Sequence, residues 1–104
     1  MRSGKSTKVF EIELLLAAED ELSEAYDWYQ EQLPDLGDKF YKEIDHYLYL
    51  IYQNPFHFPV KYKSELRAAS LNKFPFIIIY WVDEVNRKTF VTSIFHTSRK
   101  PKHS

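Results

Sequence analysis

The run Phe74–Val82 restricts the fold of this chain more than any other stretch: it is apolar from end to end, with Pro75 near its start. At nine residues it is far shorter than the ~20 that cross a bilayer. Phe76–Val82 is rich in β-branched and aromatic side chains, so it predicts a central strand buried on both faces or nearly so. A strand of that kind needs neighbouring strands and a covering layer, and the rest of the chain must supply both.

The flanking periodicities say how. Val9–Leu16 alternates, with Phe10, Ile12 and Leu14 on one side and Glu11 and Glu13 on the other, which predicts a strand with one wet face. From Ala17 the period becomes helical, and Leu22, Ala25, Tyr26, Tyr29 and Leu33 form one stripe that Pro34 stops. After the Pro34–Gly37 break a second stripe runs through Phe40, Ile44, Tyr47, Leu48 and Ile51 to a stop at Asn54–Pro55. The short link favours an antiparallel helix hairpin. Phe56–Ser64, with Pro59 and two lysines, reads as a connecting loop. Leu66–Lys73 and Thr89–His96 read as strands on either side of the apolar run, the second with Phe90, Thr92, Ile94 and His96 on one side, and Asp83–Lys88 as a polar turn. The expected fold is α+β, in the order β-α-α-β-β-β, with the hairpin packed on one face of a small, mostly antiparallel sheet. Residues 1–8 are expected to be a loose N-terminal segment, 9–101 a single domain and 102–104 a tail.

One core is feasible in 104 residues, and eight Tyr, eight Phe and two Trp should dominate it. The absence of cysteine excludes a disulfide scaffold, a thiolate zinc site and a cysteine nucleophile. Arg2, Lys5 and Lys8 precede an apolar stretch as in a signal peptide, but Glu11 and Glu13 interrupt that stretch, so the reading is a soluble, cytoplasmic protein with no membrane partner. The net charge of −1 hides a division. Residues 1–56 carry five Lys/Arg against twelve Asp/Glu, and residues 57–104 carry nine against three. Two surfaces with different partners, or two solvated faces, both fit that division.

Few residues offer chemistry. Gly4-Lys5-Ser6-Thr7 lacks the strand and the upstream glycine of a phosphate-binding loop. His46, His57, His96 and His103 share no helix face and no carboxylate cluster at ligand spacing, so neither a metal nor a cofactor is expected. Glu19–Glu24, Asp27 and Glu31 read as the wet face of a helix, and the helix tyrosines and Trp81 as core. The basic half is more informative. Lys61, Lys63, Arg67 and Lys73 lie on or beside one strand, and Arg99, Lys100 and Lys102 follow the last one, where His96 ends it; pairing through Phe76–Val82 is expected to bring them onto the uncovered face or the edge of the sheet. His96 with Arg67 and Arg99 could carry out metal-free phosphoryl transfer on RNA, with imidazole as acid or base and guanidinium on the developing charge. The same cations could instead hold an acidic protein segment. A histidine at a strand end more often has a structural role.

Residues 18–45, 54–82 and 93–101 resemble toxins of the ParE/RelE family from bacterial type II toxin–antitoxin systems. The resemblance rests on the combination of Glu24-Ala25-x-x-Trp28-Tyr29, Leu36-Gly37, Asn54-Pro55, Lys73-Phe74-Pro75-Phe76 and His96-Thr97-x-Arg99-x-Pro101. It covers nearly the whole chain from about Val9 to Pro101, and the family fold has the same β-α-α-β-β-β order. The resemblance implies a growth-inhibiting protein encoded beside an antitoxin, associated with plasmid stabilization in such systems, and masked in a toxin–antitoxin hetero-oligomer.

The branches of that family differ in target. RelE-like members cut mRNA on the ribosome with basic residues on the sheet, including an arginine at the start of the third strand; here that place reads Phe74-Pro75-Phe76-Ile77. They also tend to carry a catalytic Tyr or His near the C-terminus, and this chain offers His96 but no Tyr after Tyr80. The Phe-Pro-aromatic strand entry and the His-Thr-x-Arg-x-Pro tail look like the ParE branch, which implies DNA gyrase as target and binding rather than catalysis. The expected target contacts are Arg67, Arg99 and His96, with Lys61 and Lys63 beside them. The alternatives are a ribosome-dependent mRNA endoribonuclease using His96, Arg67 and Arg99, and a non-toxic relic that only binds its antitoxin.

Overall fold

The computed structural model describes residues 10–62 and 65–97. The elements are β1 (Glu11–Leu14), α1 (Leu16–Gln32), α2 (Leu36–Gln53), β2 (Val60–Tyr62), β3 (Leu66–Ser70), β4 (Phe76–Asp83) and β5 (Lys88–His96). They form one five-stranded sheet in the order β1-β5-β4-β3-β2. β1 runs parallel to β5, and every other pairing is antiparallel. This is the expected α+β arrangement with one strand more than expected. The additional strand, β2, lies inside Phe56–Ser64, which the sequence marks as a loop. Pro59 directly precedes β2 and Lys61 lies within it, and both residues suit a short sheet-edge strand that needs few ladder bonds.

Leu15 alone separates β1 from α1. Its amide continues the sheet by donating to the Val91 carbonyl (2.9 Å), while its own carbonyl accepts from Glu19 N (3.0 Å) and opens the helix. At the other end of α1, the chain reverses through Pro34 and Asp35, whose φ of 73° is left-handed. α2 therefore begins one residue before Gly37. That glycine is needed for close approach to α1: its amide donates to Gln30 Oε1 (2.8 Å), and a Cβ there would collide with the Gln30 side chain and sit 2.8 Å from the Tyr26 carbonyl oxygen.

The core lies between the hairpin and one face of the sheet. Leu22, Ala25 and Tyr29 from α1 and Phe40, Ile44 and Ile51 from α2 pack against Ala69, Phe76, Ile78, Tyr80, Val91 and Ile94. Both helical stripes are therefore where periodicity puts them, except that Leu33 is exposed because α1 has ended and the chain is turning. Two expectations about the aromatics fail. Tyr41, Tyr49 and Tyr52 are exposed on α2, off the stripe that meets the sheet. Trp81 is also exposed: Phe76, Ile78 and Tyr80 take the helix-facing positions of β4, and alternation sends Trp81 to the other face, stacked on Phe90 (5.9 Å between centroids, 16° between planes).

β5 departs from simple alternation. Val91 and Ile94 are three residues apart, yet both are fully buried in the core. The register explains this, because Tyr80 pairs with Val91 while Ile79 pairs with Ser93, which leaves Thr92 as the extra residue of a bulge. Thr92 Oγ1 donates to the Ile79 carbonyl at 3.2 Å. As a result Ile94 and His96 share the helix-facing side with Thr89 and Val91, while Phe90 is on the opposite face, which overturns the single-sided Phe90–His96 stripe.

Two interior groups give measurable predictions. Thr89 is 1% exposed, and its Oγ1 is without a hydrogen-bond partner among the described residues. Thr89→Val keeps the shape and removes that desolvated hydroxyl, so stability measured by urea unfolding should rise by about 1 kcal/mol. Tyr80 is fully buried, and its hydroxyl donates to the Pro55 carbonyl (2.7 Å). Burial pushes its pKa up to about 12, and the nearby Arg67 charge and a backbone bond at Phe58 offset only part of that rise. The folded state thus keeps a proton that the unfolded chain loses near pH 10, so this stabilisation is complete below pH 10 and disappears as pH rises through about 12. Urea midpoints should fall across that window, and Tyr80→Phe should flatten the fall while lowering stability at neutral pH.

Candidate functional site

Arg67 lies on β3 directly opposite Tyr80, so it points to the helix-covered side of the sheet. Its Nη1 donates to the carbonyls of Phe58 (2.6 Å) and Phe56 (3.4 Å), and the guanidinium lies over the Phe56 ring, 5.2 Å from its centroid. Phe56 in turn meets Phe10 edge-on (5.8 Å). Arg67 thus clasps the segment between α2 and β2, and Tyr80 holds the same segment one residue earlier at Pro55. The sequence reading expected this side chain on the uncovered face or the edge of the sheet.

His96 ends β5 opposite Phe76, half-buried, with its ring edge-on to the Phe76 ring (5.2 Å). Thr97 then pins the strand end, donating from N (2.7 Å) and from Oγ1 (3.2 Å) to the Pro75 carbonyl. The partners of Arg67 and His96 on β4, Tyr80 and Phe76, are four residues apart, or about 13 Å along the strand. The fold therefore does not bring these two side chains together as an acid–base and charge-stabilising pair. Lys61 is exposed on the edge strand β2, at the Arg67 end, and Lys73 is exposed in the β3–β4 connection, at the His96 end. Lys63 and Arg99 lie outside the described residues. Among the described residues, no group of three or more His, Asp or Glu side chains could hold a metal ion.

The acidic half holds two structural placements that its composition conceals. Glu21 Oε1 accepts from Ile94 N (2.8 Å) and from Ser93 Oγ (3.0 Å), which satisfies the flank of β5 just past the end of β1. Glu43 Oε2 accepts from Asn72 N (3.2 Å) and Lys73 N (3.0 Å) and shapes the turn between β3 and β4. Each helix therefore sends one carboxylate to backbone amides of the sheet or its connection, and so fixes the end where His96, Thr97 and Lys73 lie. Helical spacing cannot separate these two from the solvated carboxylates around them.

The face of the sheet turned away from the hairpin is the other feature that sequence periodicity missed. Ile77, Ile79, Trp81, Phe90 and Phe95 lie on it by alternation and register, and Ala68 pairs with Ile79 beside them. Among the described residues no helix covers this strip. Trp81 is exposed and Ile77, Phe90 and Phe95 are half-buried, while Ile79 and Ala68 are buried, so the open part of this face is apolar and suits a protein surface better than a charged substrate.

No sequence-family profile matches the chain, and no curated protein is similar to it in sequence. Its fold does have a counterpart among solved structures. A chain of the chromosomal ParDE TA system from P. aeruginosa is similar to it with a TM-score of 0.75 and 17% identity, over 86% of this chain and 97% of that one. At this identity the likeness is one of architecture: the helix hairpin and the mixed sheet are shared, and the fold is that of the ParDE chain.

Proposed function

We propose that this chain is the toxin of a type II toxin–antitoxin module, held inactive by a cognate antitoxin and arresting growth by binding DNA gyrase. The observation that carries this reading is the fold match to a ParDE chain over nearly the full length of both proteins. The motif resemblance described above supports it independently, because it rests on residues rather than on shape. The exposed Trp81, stacked on the half-buried Phe90, gives an antitoxin segment an apolar surface to cover. Binding is favoured over RNA cleavage because the Arg67 guanidinium is engaged by two backbone carbonyls and lies far along the sheet from His96. Target contact then falls to Arg99, His96, Lys61 and Lys63, and Arg67 contributes by holding the segment that follows α2.

The test is colony counting after induction of this chain without its antitoxin, in cells that carry a DNA-damage reporter. Arrest with the reporter switched on is expected. Arrest with a silent reporter and new mRNA 5′ ends would transfer the reading to the endoribonuclease, and unchanged counts would favour the relic. Charge reversal separates the two arginines. Arg99→Glu should abolish arrest and leave the thermal midpoint unchanged. Arg67→Glu should cost about 2 kcal/mol of stability through the lost charge-assisted bonds to the Phe56 and Phe58 carbonyls. An Arg67→Glu protein with wild-type unfolding would remove the clasp from this account.

A further inference from the structure

The hairpin carries a second feature, distant in kind from the basic tail. A cleft of about 500 Å³ opens between the first half of α1 and the start of α2. The buried Leu22 and half-buried Leu14 give it an apolar base, and Ser23 lies at its side. The Tyr26 and Tyr41 rings line it nearly at right angles to each other (6.2 Å, 81°), together with the carboxylates of Glu19 and Asp38. Tyr26 donates its hydroxyl to Asp38 Oδ1 at 3.0 Å, which fixes the ring and the carboxylate relative to each other. Among the described residues no Lys or Arg lines the cleft. α1 as a whole carries six carboxylates and no Lys or Arg, so the field at the mouth is negative at long range as well.

An apolar base, aromatic rings and two carboxylates together select one kind of guest. An anion is repelled, and an apolar side chain would leave the carboxylates to be desolvated without compensation. A flexible cation with an aliphatic stem satisfies all three parts, and a planar guanidinium can both stack on a tyrosine ring and fork to a carboxylate. The exposed Leu15 and Leu16 follow Leu14 directly and offer an apolar shoulder for residues on either side of such a cation. That shoulder favours an arginine carried on a polypeptide over a free amine. The geometry points to this cleft as the docking site for an arginine side chain of a partner polypeptide, flanked there by apolar residues. The inference stands apart from the growth-arrest reading, because it concerns the opposite layer of the molecule and none of the residues proposed to contact the target.

The test is titration of ¹⁵N-labelled protein with blocked peptides, followed by amide chemical shifts. N-acetyl-Leu-Arg-Leu-amide should produce saturable shifts confined to residues around 14–26 and 36–41. The citrulline analogue, isosteric and uncharged, should produce none. N-acetyl-arginine-amide should bind at the same place more weakly. Asp38→Asn and, independently, Tyr41→Ala should each weaken binding by about tenfold while the rest of the spectrum is retained, a loss on the scale of one charge-assisted bond or one cation–π contact. Equal shifts with citrulline, or shifts spread along all the carboxylates of α1, would overturn the site. Equal affinity for the single amino acid and the tripeptide would overturn the polypeptide partner. Neither result depends on whether the chain arrests growth.

Discussion

The meeting of four rings, Tyr29, Phe40, Phe74 and Phe76, is the contact on which the rest of this structure depends. Their centroids lie 4.8–6.2 Å apart in tilted and edge-on pairs, and they come from α1, α2, the β3–β4 connection and β4. No one of these elements can bury its apolar side alone, and this cluster joins both helices to the central strand in a single contact. It also sits beneath the end of the sheet where His96 is placed, since Phe76 belongs to the cluster and is the cross-strand partner of His96. Core packing therefore helps to set the position of that imidazole.

Polar groups complete what the rings begin, and they do so by linking layers. Glu21 from α1 reaches β5, Glu43 from α2 reaches the β3–β4 turn, and Tyr80 from β4 reaches the Pro55 carbonyl just past α2. Each satisfies backbone groups that a short strand or a helix end leaves bare. The first two are charge-assisted bonds at partly exposed positions, where a carboxylate keeps some of its hydration and still gains directed donors. The hairpin is thus tied to the sheet at both ends of the core.

Much of this architecture is legible in the chain. The change from period two to a helical period near Leu15, the stops at Pro34 and Asn54-Pro55, and the apolar run of β4 fix the element order and the inner faces of both helices. What periodicity could not show has specific causes. β2 is three residues long beside a proline, too short to display alternation. The bulge at Thr92 reverses the facing of everything after it, and no local residue preference announces it. Trp81 and the α2 tyrosines look like core because they are large and aromatic, but which face they occupy depends on a register counted from Phe76 and on a hairpin that covers only one side. Arg67 was legible as a cation on a strand; its partners, two carbonyls nine and eleven residues earlier, exist only after the chain has turned back on itself.

That clasp bears on where a functional cation can lie. Between the end of α2 and the start of β2 the chain has six residues, two of them prolines and none of them glycine, and it must cross from the hairpin layer to the sheet edge. Such a segment cannot satisfy its own carbonyls by repeating structure, so side chains from the sheet must reach up to it: Tyr80 to Pro55, and Arg67 to Phe56 and Phe58. A target that recruited the Arg67 guanidinium would strip two carbonyls of their donor and free the ring beneath it, and the cost of leaving those groups unpaired would oppose binding. Cations without such structural work carry no such cost. On this ground the exposed Lys61 is better placed than Arg67 to meet a partner, even though Arg67 is set deeper in the sheet.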